Sequence, residues 1–267
     1  MSAASGERMT DTDQDRALFT ALLRLADSPL VLAQRLGAWV GKGPILEEDL
    51  ALTNVGLDLL GQARLWYAYA GEVEARCAGK GRDEDQLAYL RDGGEYRNLL
   101  LVEQPNGNFA DTIARQFLFD AWHQLALGAL SRSRDPRIAE IAAKSAKEVT
   151  YHVERSSDWV IRLGDGTDES HTKMQAAVDA LWTYTGEMFM AGAGETALAD
   201  AGILADVRTL AAPWRERVAH VLAEATLAVP PDAHMQKGGK EGVHTEHLGY
   251  LLAEMQFLQR AYPGAQW

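Results

Sequence analysis

Residues 147–154 read KEVTYHVE, which places Glu148 and His152 four residues apart in a stretch with helical periodicity. At 100° per residue the apolar stripe of this stretch passes through Val149 and Val153, and Val149 lies near its middle. His152 falls about 60° from Val149, inside or just under the edge of the stripe, whereas Glu148 lies about 100° away at the margin. The inward-facing pair is therefore Val149 with His152.

A second stretch, DLLGQ, begins at Asp58 and repeats this local pattern. Leu59 occupies the middle of its stripe, and Asp58 and Gln62 have the offsets that Glu148 and His152 have in the first stretch. Di-iron carboxylate bundles carry Glu-x-x-His on two helices and one carboxylate on each of the other two, all pointing inward. Here aliphatic residues replace two of those glutamates, and an amide replaces one histidine.

Composition limits the class of protein before any motif is weighed. The 267 residues, 47% of them hydrophobic, suffice for one large domain with a substantial core. A formal net charge of −12 without runs of like charge argues against nucleic acid or an anionic membrane as partner. Cys77 is the only cysteine, which excludes a disulfide framework and predicts a reducing cytoplasm. No apolar run approaches the roughly 20 residues of a membrane span, and the N-terminus lacks a signal-peptide core.

Helical periodicity covers most of the chain, and no convincing alternating strand pattern is present. Turn and cap signals delimit four long predicted helices near 15–40, 44–78, 108–132 and 136–164, a short one near 86–90, and three more near 170–190, 206–227 and 245–261. Asn108 and Asp135 are predicted N-caps, and Pro44 is predicted to open the second helix. The pattern predicts an all-α bundle with C-terminal helices packed around it. Residues 1–14 are predicted to be a flexible N-terminus and 15–267 a single helical domain.

Four segments resemble one protein family: DLALTNVGLDLLGQARLWYAY, LLLVEQPNGNFADTIARQ, SAKEVTYH and GGKEGVHTEHLGYLLAEMQFLQRAYPGAQW. They are similar to the C subunits of bacterial phenylacetyl-CoA epoxidases (phenylacetyl-CoA monooxygenases), which are partners of a catalytic A subunit. The resemblance runs from about Leu25 to Trp267, and QPNGNFADTIARQ and HTEHLG are its specific parts. It implies a ferritin-like four-helix bundle with additional C-terminal helices. It also implies a non-catalytic structural subunit of a multicomponent oxygenase that epoxidises the ring of phenylacetyl-CoA in phenylacetate degradation.

The resemblance further implies which positions match the iron ligands of the catalytic sibling: Gln34, Leu59, Gln62, Asp120, Val149 and His152. Only Asp120 and His152 remain ligand-type residues, so the site is expected to be degenerate. The resemblance implies that this chain binds no cofactor and that the iron is held by the catalytic A subunit. It also implies a cytoplasmic hetero-oligomer in which small and reductase subunits are further partners. Asp120 is expected to hydrogen-bond to His152 or Gln62, because a buried carboxylate needs partners.

Two metal hypotheses stay open beside this interpretation. Glu148 and His152 could share a metal through their four-residue spacing, and with Asp120 they define the alternative function, an independent metal-dependent ferritin-like oxidoreductase. The second hypothesis is a zinc site in the HTEH segment, formed by His244, Glu246 and His247. The alternative is that these residues make capping and interface hydrogen bonds.

The C-terminal region contributes two further hypotheses. Lys237 and Lys240 flank the glycines of KGGK and could approach the nucleotide phosphates of a CoA ester as point charges, against the alternative of a solvated loop. The last predicted helix has a stripe formed by Leu251, Leu252, Met255, Leu258 and Tyr262, with Phe257 and Trp267 outside it. Exposed aromatic residues beside a buried stripe predict a contact with the catalytic subunit. Six tryptophans are predicted to be core and interface anchors: Trp39, Trp66, Trp122, Trp159, Trp182 and Trp214.

Overall fold

The computed structural model describes residues 10–265, and this part of the chain is helical without a strand. The α-helices are α1 (Asp11–Gly37), α2 (Leu46–Ala78), α3 (Glu84–Tyr89), α4 (Phe109–Leu130), α5 (Pro136–Gly164), α6 (Asp168–Trp182), α7 (Glu195–Asp200), α8 (Ala211–Glu224) and α9 (Glu246–Ala261). The predicted all-α, ferritin-like class is confirmed.

The bundle consists of α1, α2, α4 and α5. α1 packs along α2, α4 packs along α5, and α2 meets α5 across the core. Short loops close each hairpin, whereas the long connection 79–108, which includes α3, crosses between the hairpins as in ferritin-like bundles. α6 and α8 pack against α4 and α5, and α9 lies against α1 and α3.

Two of the three predicted helix starts are correct. The Asn108 side chain accepts hydrogen bonds from the backbone N–H groups of Ala110 and Asp111, and the Asp135 side chain caps α5, whose first residue is Pro136. The third prediction is wrong. α2 begins at Leu46, after Pro44, because the Gly43 N–H donates to the Asp49 side chain at 2.9 Å and folds the connecting loop back onto the helix.

Other boundaries also differ from the prediction. α1 begins at Asp11, capped by Thr10, and so includes residues 11–14 of the segment predicted to be a flexible N-terminus; residues 1–9 of that segment lie outside the described range. α6 ends at Trp182 rather than near residue 190. The chain turns there because the buried Glu187 carboxylate accepts hydrogen bonds from the backbone N–H groups of Leu100 and Gly238. The short helix α7 lies where the sequence predicted only a connection.

α1 is a largely buried helix of the bundle. By length and composition it could cross a membrane, yet 67% of its most apolar window is buried inside the fold. Its buried residues include charged ones, since Asp27 forms an ion pair with Arg91 and accepts a hydrogen bond from the Tyr67 hydroxyl. Burial and internal pairing of this kind are typical of a core helix.

The QPNGN segment ties the end of α1 to the start of α4. The Asn106 amide donates to the Arg35 carbonyl at 2.7 Å, and its side-chain oxygen accepts from the Arg115 guanidinium at 2.7 Å. Gly107 adopts a φ of +54°, which favours glycine. Burial lowers the pKa of Arg115 to about 9. This segment, one of the most specific parts of the resemblance, therefore has a structural role.

Six of the seven tryptophans lie in or against the core, as predicted for these six. Trp66, Trp122, Trp182 and Trp214 are buried, and Trp39 and Trp159 are half-buried against the core. Trp39 and Trp159 both pack edge-on against Phe109, which lies in the first turn of α4. These contacts hold the loop end of the bundle together.

Candidate functional site

The two repeated stretches face each other along the seam between α2 and α5. The Gln62 amide donates to Glu148 Oε2 at 2.9 Å, and His152 Nε2 lies 3.0 Å from Asp58 Oδ2. Because the two helices run antiparallel, the later residue of each stretch meets the earlier residue of the other. We call Asp58–His152 and Gln62–Glu148 the crossed pairs. The sequence placed Asp58 and Glu148 at stripe margins, but it could not show that each partners the opposite helix.

Hydrocarbon lies beneath the crossed pairs. Leu59 and Val149 are both fully buried in the core, as their stripe positions predicted. A di-iron site would need carboxylate oxygens at these two positions. Neither side chain has a lone pair to offer a metal, so the structure fills this part of the site with packed apolar groups.

Asp120 is buried on α4, but its partners are not the predicted ones. Its Oδ1 accepts a hydrogen bond from Gln116 at 2.7 Å and its Oδ2 accepts one from Ser156 at 3.0 Å. The expected bond to His152 or Gln62 is wrong, because both of those side chains turn toward the seam. Burial raises the pKa of Asp120 to about 6, and the nearby His152 opposes this rise only in part.

His123, one turn from Asp120 on α4, is a core residue rather than a ligand partner. Burial lowers the pKa of His123 to about 3, which keeps the imidazole neutral. Its ring lies 4.9 Å from the Phe119 ring and 6.2 Å from the Trp122 ring, measured between centroids. The carboxylate-x-x-His spacing on α4 thus reflects aromatic packing.

Gln34 does not lie with the other predicted site positions. It is half-buried in a groove on the outer surface between α1 and α2, beside Ala33 and Leu57. Gln34 therefore lies outside the bundle core, and its match to an iron ligand of the catalytic sibling stays a prediction. α1 is buried on most of its circumference, and Val31 and Leu32 are the fully buried residues at this level.

A di-iron centre does not fit these residues. Two of the six positions carry hydrocarbon, Gln34 is outside the core, and Asp120 and His152 are held in separate hydrogen bonds. Within residues 10–265 no group of three or more His, Cys, Asp or Glu side chains is placed to share a metal ion. Some polarity remains, because His152 Nδ1 and Gln62 Oε1 are buried without a hydrogen-bond partner in the described chain.

The HTEH segment joins α9 to the connection before α4. His244 Nε2 lies 3.1 Å from the Tyr96 carbonyl oxygen, and His244 Nδ1 lies 3.4 Å from Glu103 Oε1. Thr245 occupies the N-cap position of α9 without a side-chain cap hydrogen bond. Interface hydrogen bonds thus account for His244, as the alternative to the zinc site predicts.

The two lysines of KGGK have different environments. Lys240 is buried, and its ammonium donates to Glu195 Oε2 at 2.9 Å and to the Met190 carbonyl at 2.6 Å, whereas Lys237 is exposed. Burial raises the pKa of Glu195, but Lys240 and Arg24 outweigh it and hold that pKa below its ordinary value. The expectation of two free lysine charges for a phosphate is therefore wrong for Lys240, whose charge is used inside the fold.

The glycines of the same loop are required by packing. A Cβ on Gly239 would stand 2.2 Å from the carbonyl oxygen of Asn98, far inside van der Waals contact. Close approach to the protein's own backbone explains this glycine without a bound phosphate.

α9 is buried on a somewhat different stripe from the predicted one. Leu251 and Leu252 are buried and Met255 is half-buried, but Leu258 and Tyr262 are 47% and 59% exposed. The predicted stripe is thus wrong at its C-terminal end.

Gln256 is the buried residue of the last turns of α9. Its amide donates to the carbonyls of Ala88 at 3.2 Å and Arg91 at 3.0 Å, and this anchors α9 to the region of α3. Phe257 is 61% exposed, as predicted, and Trp267 lies outside the described residues.

Comparison with known proteins agrees with the resemblance of the individual segments. The family model described as Phenylacetic acid catabolic protein matches residues 1–267. The C subunit of the 1,2-phenylacetyl-CoA epoxidase of Escherichia coli (strain K12) is 56% identical over 245 residues, which cover 92% of this chain and 97% of that relative. The similarity therefore includes both helical hairpins of the bundle and the C-terminal helices. The chain belongs to the phenylacetic acid catabolic protein family.

Proposed function

We propose that this chain is the non-catalytic structural subunit of a cytoplasmic, multicomponent phenylacetyl-CoA ring epoxidase that acts in phenylacetate degradation. In this proposal it binds and stabilises the catalytic A subunit, which carries the di-iron centre, and it holds no cofactor itself. The small and reductase subunits are further members of the same complex. The name of the E. coli relative supports the assignment to the epoxidase.

The observation that carries the non-catalytic role is the replacement of a metal shell by hydrocarbon and crossed pairs. The resemblance matches Leu59 and Val149 to two ligands of the catalytic sibling, both side chains are buried hydrocarbon, and the polar residues beside them bond to one another. The bundle keeps its four long helices although these positions offer no place for iron. Retention of the four-helix bundle without its iron ligands is consistent with selection for a surface that binds another subunit.

The exposed apolar residues of α9 support a role in binding another subunit. Tyr250 and Phe257 are 75% and 61% exposed, and Leu258 and Tyr262 add to the same C-terminal segment. Large exposed aromatic residues are enriched at protein interfaces, where they act as anchors. We propose that this segment forms part of the contact with the A subunit, over an interface above roughly 2,000 Å² if the complex is obligate.

Co-expression with the catalytic A subunit tests the structural role. The expected result is a stable complex by light scattering, and an A subunit that is poorly soluble or inactive without this chain. Full epoxidase activity from the A subunit and the electron-transfer components alone would overturn the proposal. A version truncated after Gly242 tests the placement of the interface, because an unchanged complex would exclude α9 but leave the structural role intact.

The alternative is an independent metal-dependent oxidoreductase. The observation in its favour is the buried Asp120, whose pKa is raised to about 6, close to His152 in the bundle core. It is the weaker candidate, because the partners of both side chains are protein groups and no third ligand joins them in the described chain. Metal analysis of the purified protein distinguishes the two functions.

A further inference from the structure

α2 carries a second apolar stripe that faces away from the core. Leu46, Leu50, Leu57 and Leu60 are 70%, 55%, 61% and 42% exposed, and the half-buried Thr53 lies between them. Their spacings are four, three, four and three residues. This alternation is the 3.5-residue repeat of a coiled-coil seam, in which a and d positions contact a partner helix. We call these five residues the outer seam.

The outer seam is separate from the core face of the same helix. The core face contains the buried residues Leu52, Val55 and Leu59, which contact the rest of the bundle. α2 is therefore apolar on two faces, and only one of them is covered in the described chain. Four leucines at 42% exposure or more on one helix face exceed the scattered apolar residues of an ordinary surface.

A groove accompanies the outer seam along its side. Leu57 and Leu60 form one wall of a space of about 260 Å³ between α1 and α2, and the small residues Ala33, Gly37 and Gly56 also line it. Small residues allow another backbone to approach closely, while the leucines supply ridges. The shape suits side chains of an added helix packed against α2.

The charges beside the outer seam are acidic. Between Leu46 and Ala63 the helix carries Glu47, Glu48, Asp49 and Asp58 and no lysine or arginine. Glu48 is paired internally with Arg155 and Asp58 with His152, so Glu47 and Asp49 are the carboxylates that flank the seam. A second copy of this chain would bring the same acidic flank and another net charge of −12, which opposes self-association. A partner helix with lysine or arginine beside its apolar residues complements this surface.

We propose that the outer seam docks an amphipathic, basic-flanked helix of the catalytic A subunit. This inference rests on the proposed function, which supplies the identity of the partner. The outer seam would be a second contact surface, on α2, in addition to the one proposed on α9. The partner helix is expected to carry leucine-like residues at 3.5-residue spacing with basic residues beside them.

The test uses complexes of the full chain with the full A subunit. Leu50→Lys with Leu57→Lys places two charges in the seam while both side chains stay accessible in the free chain, so the fold is preserved and helicity serves as a check. We expect the dissociation constant, measured by dilution and mass photometry, to rise at least about tenfold, because buried apolar anchors dominate interface energies. Val229→Lys is the matched control, an apolar residue 47% exposed in a loop far along the chain, and it should change nothing.

A second variant tests the charge complementarity. Glu47→Lys should also weaken the complex and should reduce the dependence of its affinity on salt. Unchanged affinity for both the leucine double variant and Glu47→Lys, with a stable wild-type complex, would overturn the docking site and leave the proposed function standing. A wild-type chain that does not bind the A subunit would overturn both. If the isolated chain forms a dimer that the leucine variant abolishes, a second copy is the occupant and the inference is wrong.

Discussion

Replacing Asp120 by asparagine should stabilise the protein at neutral pH. The carboxyl is fully buried, and burial raises its pKa from 3.8 to about 6. Because the folded-state pKa lies above the unfolded one, the contribution of Asp120 to stability is fully present below the unfolded pKa and is lost as pH rises through 6. At 1.36 kcal/mol per pKa unit, ionised Asp120 costs the folded state on the order of 3 kcal/mol at pH 7.5.

The surroundings of Asp120 can accommodate the amide. Ser156 can still donate to the asparagine oxygen, and Gln116 Oε1, which is buried without a partner in the described chain, can accept from the new NH₂ group. We therefore expect Asp120→Asn to gain about 1 to 3 kcal/mol at pH 7.5 and roughly 1.4 kcal/mol less than that at pH 5, where the wild-type carboxyl is largely protonated.

Urea unfolding at the two pH values measures this difference, provided that the m-value is unchanged. Asp158→Asn is the matched control, since Asp158 is exposed on α5, and it should not alter the pH dependence. A variant that is less stable than wild type at pH 7.5, by an amount independent of pH, would refute the reasoning. That result would mean that the folded protein stabilises the ionised form of Asp120, as it would for a carboxylate that binds a metal.

Two further changes test the other contacts of the site. Removing Asp58 and His152 singly and together should give a coupling energy of about 0.5 to 1.5 kcal/mol in the free energy of unfolding, because one hydrogen bond contributes about that much. A coupling energy near zero would show that this crossed pair does not hold α2 to α5. Lys240→Ala should cost about 2 to 3 kcal/mol, because it removes one partner of a buried ion pair while Arg24 remains beside Glu195. Lys237→Ala is its matched control and should stay within about 0.5 kcal/mol, since this lysine is exposed; equal losses for the two lysines in chemical denaturation would contradict the assignment.

Features that depend on neighbouring residues were predictable from the sequence. The caps at Asn108 and Asp135 rest on short-range hydrogen bonds, and the inward positions of Leu59 and Val149 follow from helical period alone. The equivalence of the DLLGQ and EVTYH stretches was also predictable, because in both a polar residue lies one position before and another lies three positions after the central aliphatic residue.

Features that depend on distant contacts were not predictable. α6 ends early because the buried Glu187 binds backbone groups that come from two separate loops. Lys240 is buried because α7 brings Glu195 to it, and α7 itself was missed. Gln34 was assigned from the resemblance alone, and the structure places it in the groove between α1 and α2 rather than in the bundle core.

The most direct test of the central claim is the iron content of this chain when it is purified by itself. The protein is incubated with ferrous iron without oxygen, dialysed, and measured by elemental analysis beside His152→Ala. The account predicts far less than one iron per chain for both proteins, because Leu59 and Val149 give no ligand and Asp120 and His152 bond to other residues. Iron near one equivalent in the wild type, lost in His152→Ala, would contradict it.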